Sequence, residues 1–258
     1  MVSGKSIRLN RVLKNNRMLC VPMDHSVTIG PVDGLKDTWK LINAVAKGGA
    51  SAVLAHKGVF STAPAPIPTG SILHVNANTV LGPHPNQKTM VTTVKHAVRL
   101  GVDCVSIHVN VGSDEENQML SDLGRLSDEC YDYGIPLIAM MYPRGPRIKD
   151  VTTELVCHAA RIGADFGADI VKTVYTGSVE TFRQVVEACP VPVVLAGGPK
   201  LSDDLEVLKL ARSALDAGAL GVTFGRNVFA HPNPESMTRA LSAVVYDGAS
   251  PESAAKMI

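Results

Sequence analysis

Four times along the chain a glycine is followed by a short apolar run: Gly49-Ala50-Ser51-Ala52-Val53, Gly101-Val102-Asp103-Cys104-Val105, Gly167-Ala168-Asp169-Ile170-Val171 and Gly218-Ala219-Leu220-Gly221-Val222. Each copy reads as the end of a helix and the start of a strand. Glycine takes the left-handed conformation that stops a helix, and a continuous apolar run suits a strand covered on both faces. The copies begin 52, 66 and 51 residues apart, about the length of two βα units. Between them lie further apolar runs, Leu19 to Met23, Ile72 to Val75, Leu137 to Met141 and Val191 to Ala196, which bring the strands to eight. Helical periodicity fills the intervals, at about residues 35–47, 87–99, 115–132, 152–165, 178–188, 202–216 and 233–246. Alternation of this kind implies a parallel sheet, and eight units in 258 residues imply closure. The expectation is an α/β fold, a (β/α)8 TIM barrel, forming a single domain over residues 1–258 with a short basic extension over about residues 1–17. An open doubly wound sheet fits less well, because no Gly-x-Gly-x-x-Gly follows the first strand.

Charge and cysteine usage narrow the class. Twenty-five Lys and Arg against 24 Asp and Glu leave a net charge of +1, so no broad field favours nucleic acid or an anionic membrane as partner. No run of 18 apolar residues occurs, and the basic start (Lys5, Arg8, Arg11, Lys14) has no apolar stretch after it. Cys20, Cys104, Cys130, Cys157 and Cys189 are scattered and odd in number, which fits reduced, space-filling thiols in a cytoplasmic protein. Two proline-rich stretches, Gly58 to Gly70 and Thr79 to Gln87, follow strands on the expected active face and read either as stiff surface loops or as a substrate lid.

In a barrel of this type the site is assembled at the C-terminal ends of the strands. Those ends carry Asp24 and His25; His56 and Lys57; His74, Asn76 and Asn78; His108 and Asn110; Tyr142 and Arg144; Lys172 and Thr173; Gly197 and Gly198; and Gly225, Arg226 and Asn227. Lys172 closes an apolar run, where burial disfavours the ammonium form; a lowered pKa would leave a neutral amine able to attack a ketone. The plainer alternative is an ion-paired barrel lysine. Tyr142, on the preceding strand, is placed to move a proton, or simply to line the wall. Asp24 is placed to orient the amine or polarise substrate, or merely to neutralise Lys172. Gly197-Gly198 and Gly225-Arg226 sit where barrels bind phosphate, glycine letting backbone N–H groups approach and arginine adding charge. His56, His74 and His108 raise the question of a metal, but no pair has a tight ligand spacing; no metal is expected, and these histidines are read as hydrogen-bonding to substrate or to one another.

The motifs in order, Val21-Pro22-Met23-Asp24-His25, His56-Lys57-Gly58, Val105 to Ser113, Met141-Tyr142-Pro143-Arg144-Gly145, Asp169-Ile170-Val171-Lys172-Thr173, Ala196-Gly197-Gly198-Pro199 and Gly225-Arg226-Asn227, resemble the DhnA-type class I aldolases over nearly the whole chain. The resemblance implies Lys172 as the Schiff-base residue, Tyr142 as acid–base residue, Asp24 as an essential carboxylate, no cofactor, and a homo-oligomer. The fructose-bisphosphate aldolases of this family carry tryptophan two residues before the tyrosine, where this chain has Met140. That departure points to the branch that accepts L-aspartate semialdehyde. Its donor would be 6-deoxy-5-ketofructose 1-phosphate or dihydroxyacetone phosphate, with phosphate on Gly197, Gly198, Gly225 and Arg226. The amino-acid head would meet His25, His56, Lys57, His74 and His108, with Arg144 near the fifth strand able to meet a second phosphate. Two alternatives stay open, a fructose-bisphosphate aldolase and a non-catalytic sugar-phosphate-binding barrel.

Overall fold

A computed structural model describes residues 3–258. Eight parallel strands close into a barrel: β1 Met18–Pro22, β2 Ala52–Ala55, β3 Gly70–His74, β4 Cys104–Val111, β5 Leu137–Pro143, β6 Ile170–Thr173, β7 Val193–Ala196 and β8 Gly221–Thr223. Each strand pairs with its neighbour in sequence, and closure comes from β8 against β1, with Met18 opposite Gly221 and Cys20 opposite Thr223. The four repeat glycines, Gly49, Gly101, Gly167 and Gly218, have φ of 98°, 71°, 90° and 96°, the left-handed region in which L side chains are strained.

Helix Thr38–Lys47 follows β1, the short helix Lys57–Ser61 follows β2, and Val94–Leu100, Glu116–Asp132, Thr153–Asp165, Val179–Ala188, Asp204–Asp216 and Pro234–Tyr246 follow β3 to β8 in turn. Two boundaries differ from the sequence reading. Helix was expected from about residue 87, but Thr89–Met90 pairs antiparallel with Asn76–Ala77, and Thr93 caps the helix by accepting from the N–H of His96 at 3.2 Å. The seventh strand starts at Val193 rather than Val191, since Pro192 has no N–H to give the ladder.

Alternation along each strand divides the core in two. One set of side chains, including Val21, Val53, Leu73, Val105, Val171, Leu195 and Val222, packs outward under the helices. The other fills the barrel: Met18, Cys20, Ala52, Leu54, Ile72, Cys104, Ile138, Met140, Ile170 and Val194. The basic N-terminal segment is helix Gly4–Val12, which closes the bottom of the barrel and contributes Val12 to that inner cluster. Gly70 makes this approach possible, because a Cβ there would lie 2.4 Å from the carbonyl oxygen of Arg11.

The third residue of three repeats supplies the polar fastening at this end. Ser51 Oγ accepts from the N–H of Leu19 at 3.1 Å, Asp103 from that of Ser71 at 2.9 Å, and Asp169 from that of Leu137 at 2.8 Å. Asp103 also accepts from Ser71 Oγ and pairs with Arg11 at 2.5 Å, while Asp169 pairs with Lys5 at 2.8 Å. These carboxylates tie the N-terminal helix to the sheet. Asp103→Ala leaves the buried N–H of Ser71 without its acceptor and releases Arg11 to solvent, while the N–H of residue 103 still reaches Ser71 Oγ, and should cost about 1–3 kcal/mol of stability, the cost of a buried donor left unpaired. Urea denaturation with an unchanged m-value would check it, and a midpoint equal to wild type would remove this role.

Candidate active site

Lys172 lies on the inner face of β6, opposite Met140 of β5 and Val194 of β7, and is 7% exposed. It stands on an apolar floor that includes Ile170, Val194 and Cys20. Tyr142 sits one pleat above Met140 on the same face of β5 and is buried. Asp24 follows β1 at the start of the short helix His25–Ile29, and its side chain makes no capping hydrogen bond there.

The charge state of Lys172 differs from the sequence expectation. Burial alone pushes its ammonium toward deprotonation, but the neighbouring oxygens of Tyr142 and Asp24 outweigh it and hold its pKa above the usual lysine value. Burial works against the Asp24 carboxylate too, and the surrounding His25, His74 and Lys172 more than offset it, holding Asp24 well below the ordinary carboxylate range. Cys20, beneath the lysine, is pushed up to about 12 by burial and stays a neutral thiol. The site therefore stabilises a positive nitrogen at Lys172 instead of a neutral one.

A file of imidazoles lines the β1–β4 side. His74 Nε2 is 3.9 Å from one oxygen of Asp24, its Nδ1 is 2.9 Å from Ser106 Oγ, and burial lowers its pKa to about 3. His56 Nδ1 is 3.2 Å from the carbonyl oxygen of His74, with the rings 5.2 Å apart. The His108 ring lies 4.8 Å from that of Tyr142, tilted 60° to it, and its Nε2 lies 2.8 Å from Asn110 Oδ1. Burial lowers the pKa of His56, and that of His108 well below the histidine value. Among the described residues, no three His, Cys, Asp or Glu side chains are grouped as metal ligands. On the other side of Asp24, His25 Nδ1 is 3.4 Å from the second carboxylate oxygen, with both atoms buried and without an aligned hydrogen-bond partner.

Two loops meet beside His25. A Cβ on Gly225 would lie 2.9 Å from the His25 ring, and Gly198 has φ 64° with open space around it. Among the described residues the N–H groups of Gly198, Gly225 and Arg226 make no backbone hydrogen bond, whereas that of Gly197 donates to Thr223 at 3.2 Å. Buried Asn227 locks the loops together, donating to the carbonyls of Gly197 and Pro199 at 2.9 and 3.3 Å and accepting from the N–H of Leu201 at 2.8 Å. The exposed Arg226 opens the short helix Arg226–Phe229.

Of the residues singled out from sequence, Lys57 does not join this group. Its exposed ammonium donates to the carbonyl of Val91 at 2.7 Å, on the rim. Arg144 is exposed and lies over the Tyr142 ring at 5.5 Å. One buried charge escaped the sequence reading: Lys88, which falls in the segment expected to be helix and instead turns into the mouth. His74, Asn110 and Asn227, picked out at strand ends, have structural parts in the site, and so has Ser106, which was not; period-two alternation with His108 and Asn110 on the same strand is the signal that could have found it.

Barrel and mouth together define a class I aldolase, in which carbonyl chemistry is built at the strand ends. The DeoC/LacD family aldolase model matches residues 18–231, and the chain belongs to that family. It is 44% identical over 253 residues to the 2-amino-3,7-dideoxy-D-threo-hept-6-ulosonate synthase of Halobacterium salinarum, covering 98% of this chain and 95% of the relative. It is 39% identical over 249 residues to the 2-amino-4,5-dihydroxy-6-oxo-7-(phosphonooxy)heptanoate synthase of Streptomyces griseus, covering 95% and 91%. Two archaeal fructose 1,6-bisphosphate aldolase structures superpose with TM-scores of 0.89 and 0.87 at 30% and 29% identity, covering 94% and 93% of this chain and 99% and 98% of theirs. In the second, the catalytic lysine is covalently bound to the carbinolamine intermediate.

Neutral buried imidazoles carry a pH consequence. Between pH 6.5 and about 3, His74 takes up a proton in the unfolded chain but not in the folded one, so stability falls as pH falls through that window. His56 and His108 act in the same direction. His74→Gln should flatten the decline in denaturation midpoint from pH 6.5 downward; an undiminished slope would exclude His74 as its source.

Proposed function

We propose that the chain condenses L-aspartate semialdehyde with a phosphorylated ketose, either 6-deoxy-5-ketofructose 1-phosphate or dihydroxyacetone phosphate, through a Schiff base on Lys172. The observation that carries this reading is the buried side chain of Lys172 on the strand beside Tyr142, at the top of an apolar barrel interior. The acceptor is supported by 44% and 39% identity to two synthases named for amino-heptulosonate-type products, against 30% and 29% to fructose-bisphosphate aldolases. Met140, in place of the tryptophan that the resemblance gives the fructose-bisphosphate branch, points the same way. The free N–H groups of Gly198, Gly225 and Arg226 support a phosphate held at the β7–β8 end, with the Arg226 guanidinium adding charge. A single catalytic domain and a cytoplasmic homo-oligomer complete the proposal, on the family resemblance and five free thiols.

In this reading Lys172 gives up a proton, and its amine adds to the donor carbonyl carbon. The carbonyl oxygen then leaves as water, and an iminium forms. A bond at the carbon next to the iminium then breaks and its electrons flow into the C=N bond, giving an enamine; either a C–H bond gives up its proton, or a C–C bond breaks and the far carbon, whose hydroxyl gives up its proton, leaves as an aldehyde. The enamine carbon adds to the aldehyde carbon, the aldehyde oxygen takes a proton, and water releases the product from the lysine. Tyr142 carries the proton at each exchange. Asp24 offsets positive charge on the same nitrogen in the resting ammonium and in the iminium, so that little needs to reorganise when the charged intermediate appears.

Borohydride with a phosphorylated ketose should leave one adduct, located by peptide mass at Lys172. Because the resting group is an ammonium with a raised pKa, the trapping rate should climb with pH across the neutral range. Asp24→Asn removes the charge that favours the ammonium and should move that climb to lower pH. Label spread over many lysines would sink the mechanism.

The acceptor is tested by supplying L-aspartate semialdehyde and glyceraldehyde 3-phosphate with each donor and comparing kcat/KM. The amino-acid aldehyde should be preferred with one of the donors. Faster formation of fructose bisphosphate would transfer the chain to the fructose-bisphosphate branch.

A further inference from the structure

Lys88 is 8% exposed, yet among the described residues no carboxylate lies within 4 Å of its ammonium, which donates to the side-chain oxygen of Asn78. A dry cation with only a neutral amide for company is costly, and such a group is normally paired. The surrounding structure nevertheless fixes it there. Asn76–Ala77 and Thr89–Met90 form the two-stranded ribbon from which Asn78 and Lys88 project. Asn78 donates to the carbonyl of Pro85 at 2.5 Å, and buried Asn110 of β4 donates to that of Asn86 at 2.7 Å. Asn110 in turn holds His108, whose ring lies beside that of Tyr142. The second proline-rich stretch is thus tied down beside Tyr142, carrying an unpaired positive charge to the β3–β4 side of the mouth.

Around the ring of strands, β3–β4 is four places from β7–β8. A ketose whose phosphate sits at β7–β8 and whose carbonyl carbon is on Lys172 fills one half of the mouth. The other half, bordered by Tyr142 and the histidines, is left for the second substrate. Asp24 favours the Lys88 ammonium and Arg144 opposes it, while burial, the largest influence, lowers its pKa to about 8. The group still carries a proton for much of the time near neutrality, and a bound anion would increase that fraction.

We propose that Lys88 is the receptor for the carboxylate of the acceptor aldehyde and so sets acceptor specificity, an inference that rests on the acceptor assigned under Proposed function. A monoanionic carboxylate beside one ammonium and the Asn78 amide matches the single charge available there. The anion completes the site electrostatically, and an aldehyde without it leaves Lys88 unpaired.

The test compares wild type, Lys88→Met and Lys88→Arg with L-aspartate semialdehyde and with 3-aminopropanal, which lacks the carboxylate. Donor trapping by borohydride and thermal melting are followed in parallel. Lys88→Met should raise the KM for L-aspartate semialdehyde about 100-fold, as expected for loss of one partner of a buried charge pair. Trapping should stay at the wild-type rate, 3-aminopropanal should react equally with both proteins, and Lys88→Arg should recover part of the loss. An unchanged KM, an equal loss with 3-aminopropanal, or loss of trapping with a normal melt would each overturn the assignment. Failure of the acceptor reading itself shows in the unsubstituted enzyme: intact trapping, turnover of glyceraldehyde 3-phosphate and none of L-aspartate semialdehyde would remove both the acceptor and the carboxylate receptor.

Discussion

The site depends on how charge is held at the top of an interior otherwise made of aliphatic and thiol groups, where Tyr142 and then Asp24 favour the Lys172 ammonium, and His25, His74 and Lys172 favour the Asp24 carboxylate. Each charge alone would be driven toward its neutral form by burial; together, with Tyr142 and the nearby histidines, they stay ionised. His74 stands between Asp24 and Ser106, while His25 joins Asp24 to the Gly225 loop. An arrangement that favours positive nitrogen suits a reaction in which the nitrogen stays positive through its central intermediate, and it costs a slower first deprotonation.

The two ends of the barrel divide the labour. At the bottom, Ser51, Asp103 and Asp169 spend their polar atoms on the backbone of neighbouring strands, and Arg11 and Lys5 bring the N-terminal helix onto two of them. At the top, the loops after the strands carry groups with unused capacity: the free N–H groups after β7 and β8, the ammonium of Lys88 and the second oxygen of Asp24. Between the two ends, small and apolar residues fill the layers.

Repeat glycines, apolar runs and helical periodicity were enough to predict eight strands, their order and the closed barrel, because these signals are local and the connections are short. The same reasoning brought Asp24, Tyr142, Lys172, Gly198, Gly225 and Arg226 to one end of the molecule. It failed where a local pattern had two readings. Residues 87–93 looked helical, but pairing of Thr89–Met90 with a segment a dozen residues away took them out of the helix. Lys57 looked like a site residue by position, and the Val91 carbonyl draws it to the rim.

By itself, then, the sequence determined the barrel and the placement of Lys172 at its mouth, since both are written in residue periodicity. Only the tertiary structure decided the charge that lysine carries. Its pKa is a contest between burial and the charges of residues at positions 24 and 142, and no spacing rule sums those terms. Lys88 was hidden for the same reason: its burial and its lack of a counter-ion exist only once the ribbon and Asn110 have folded the loop against the mouth.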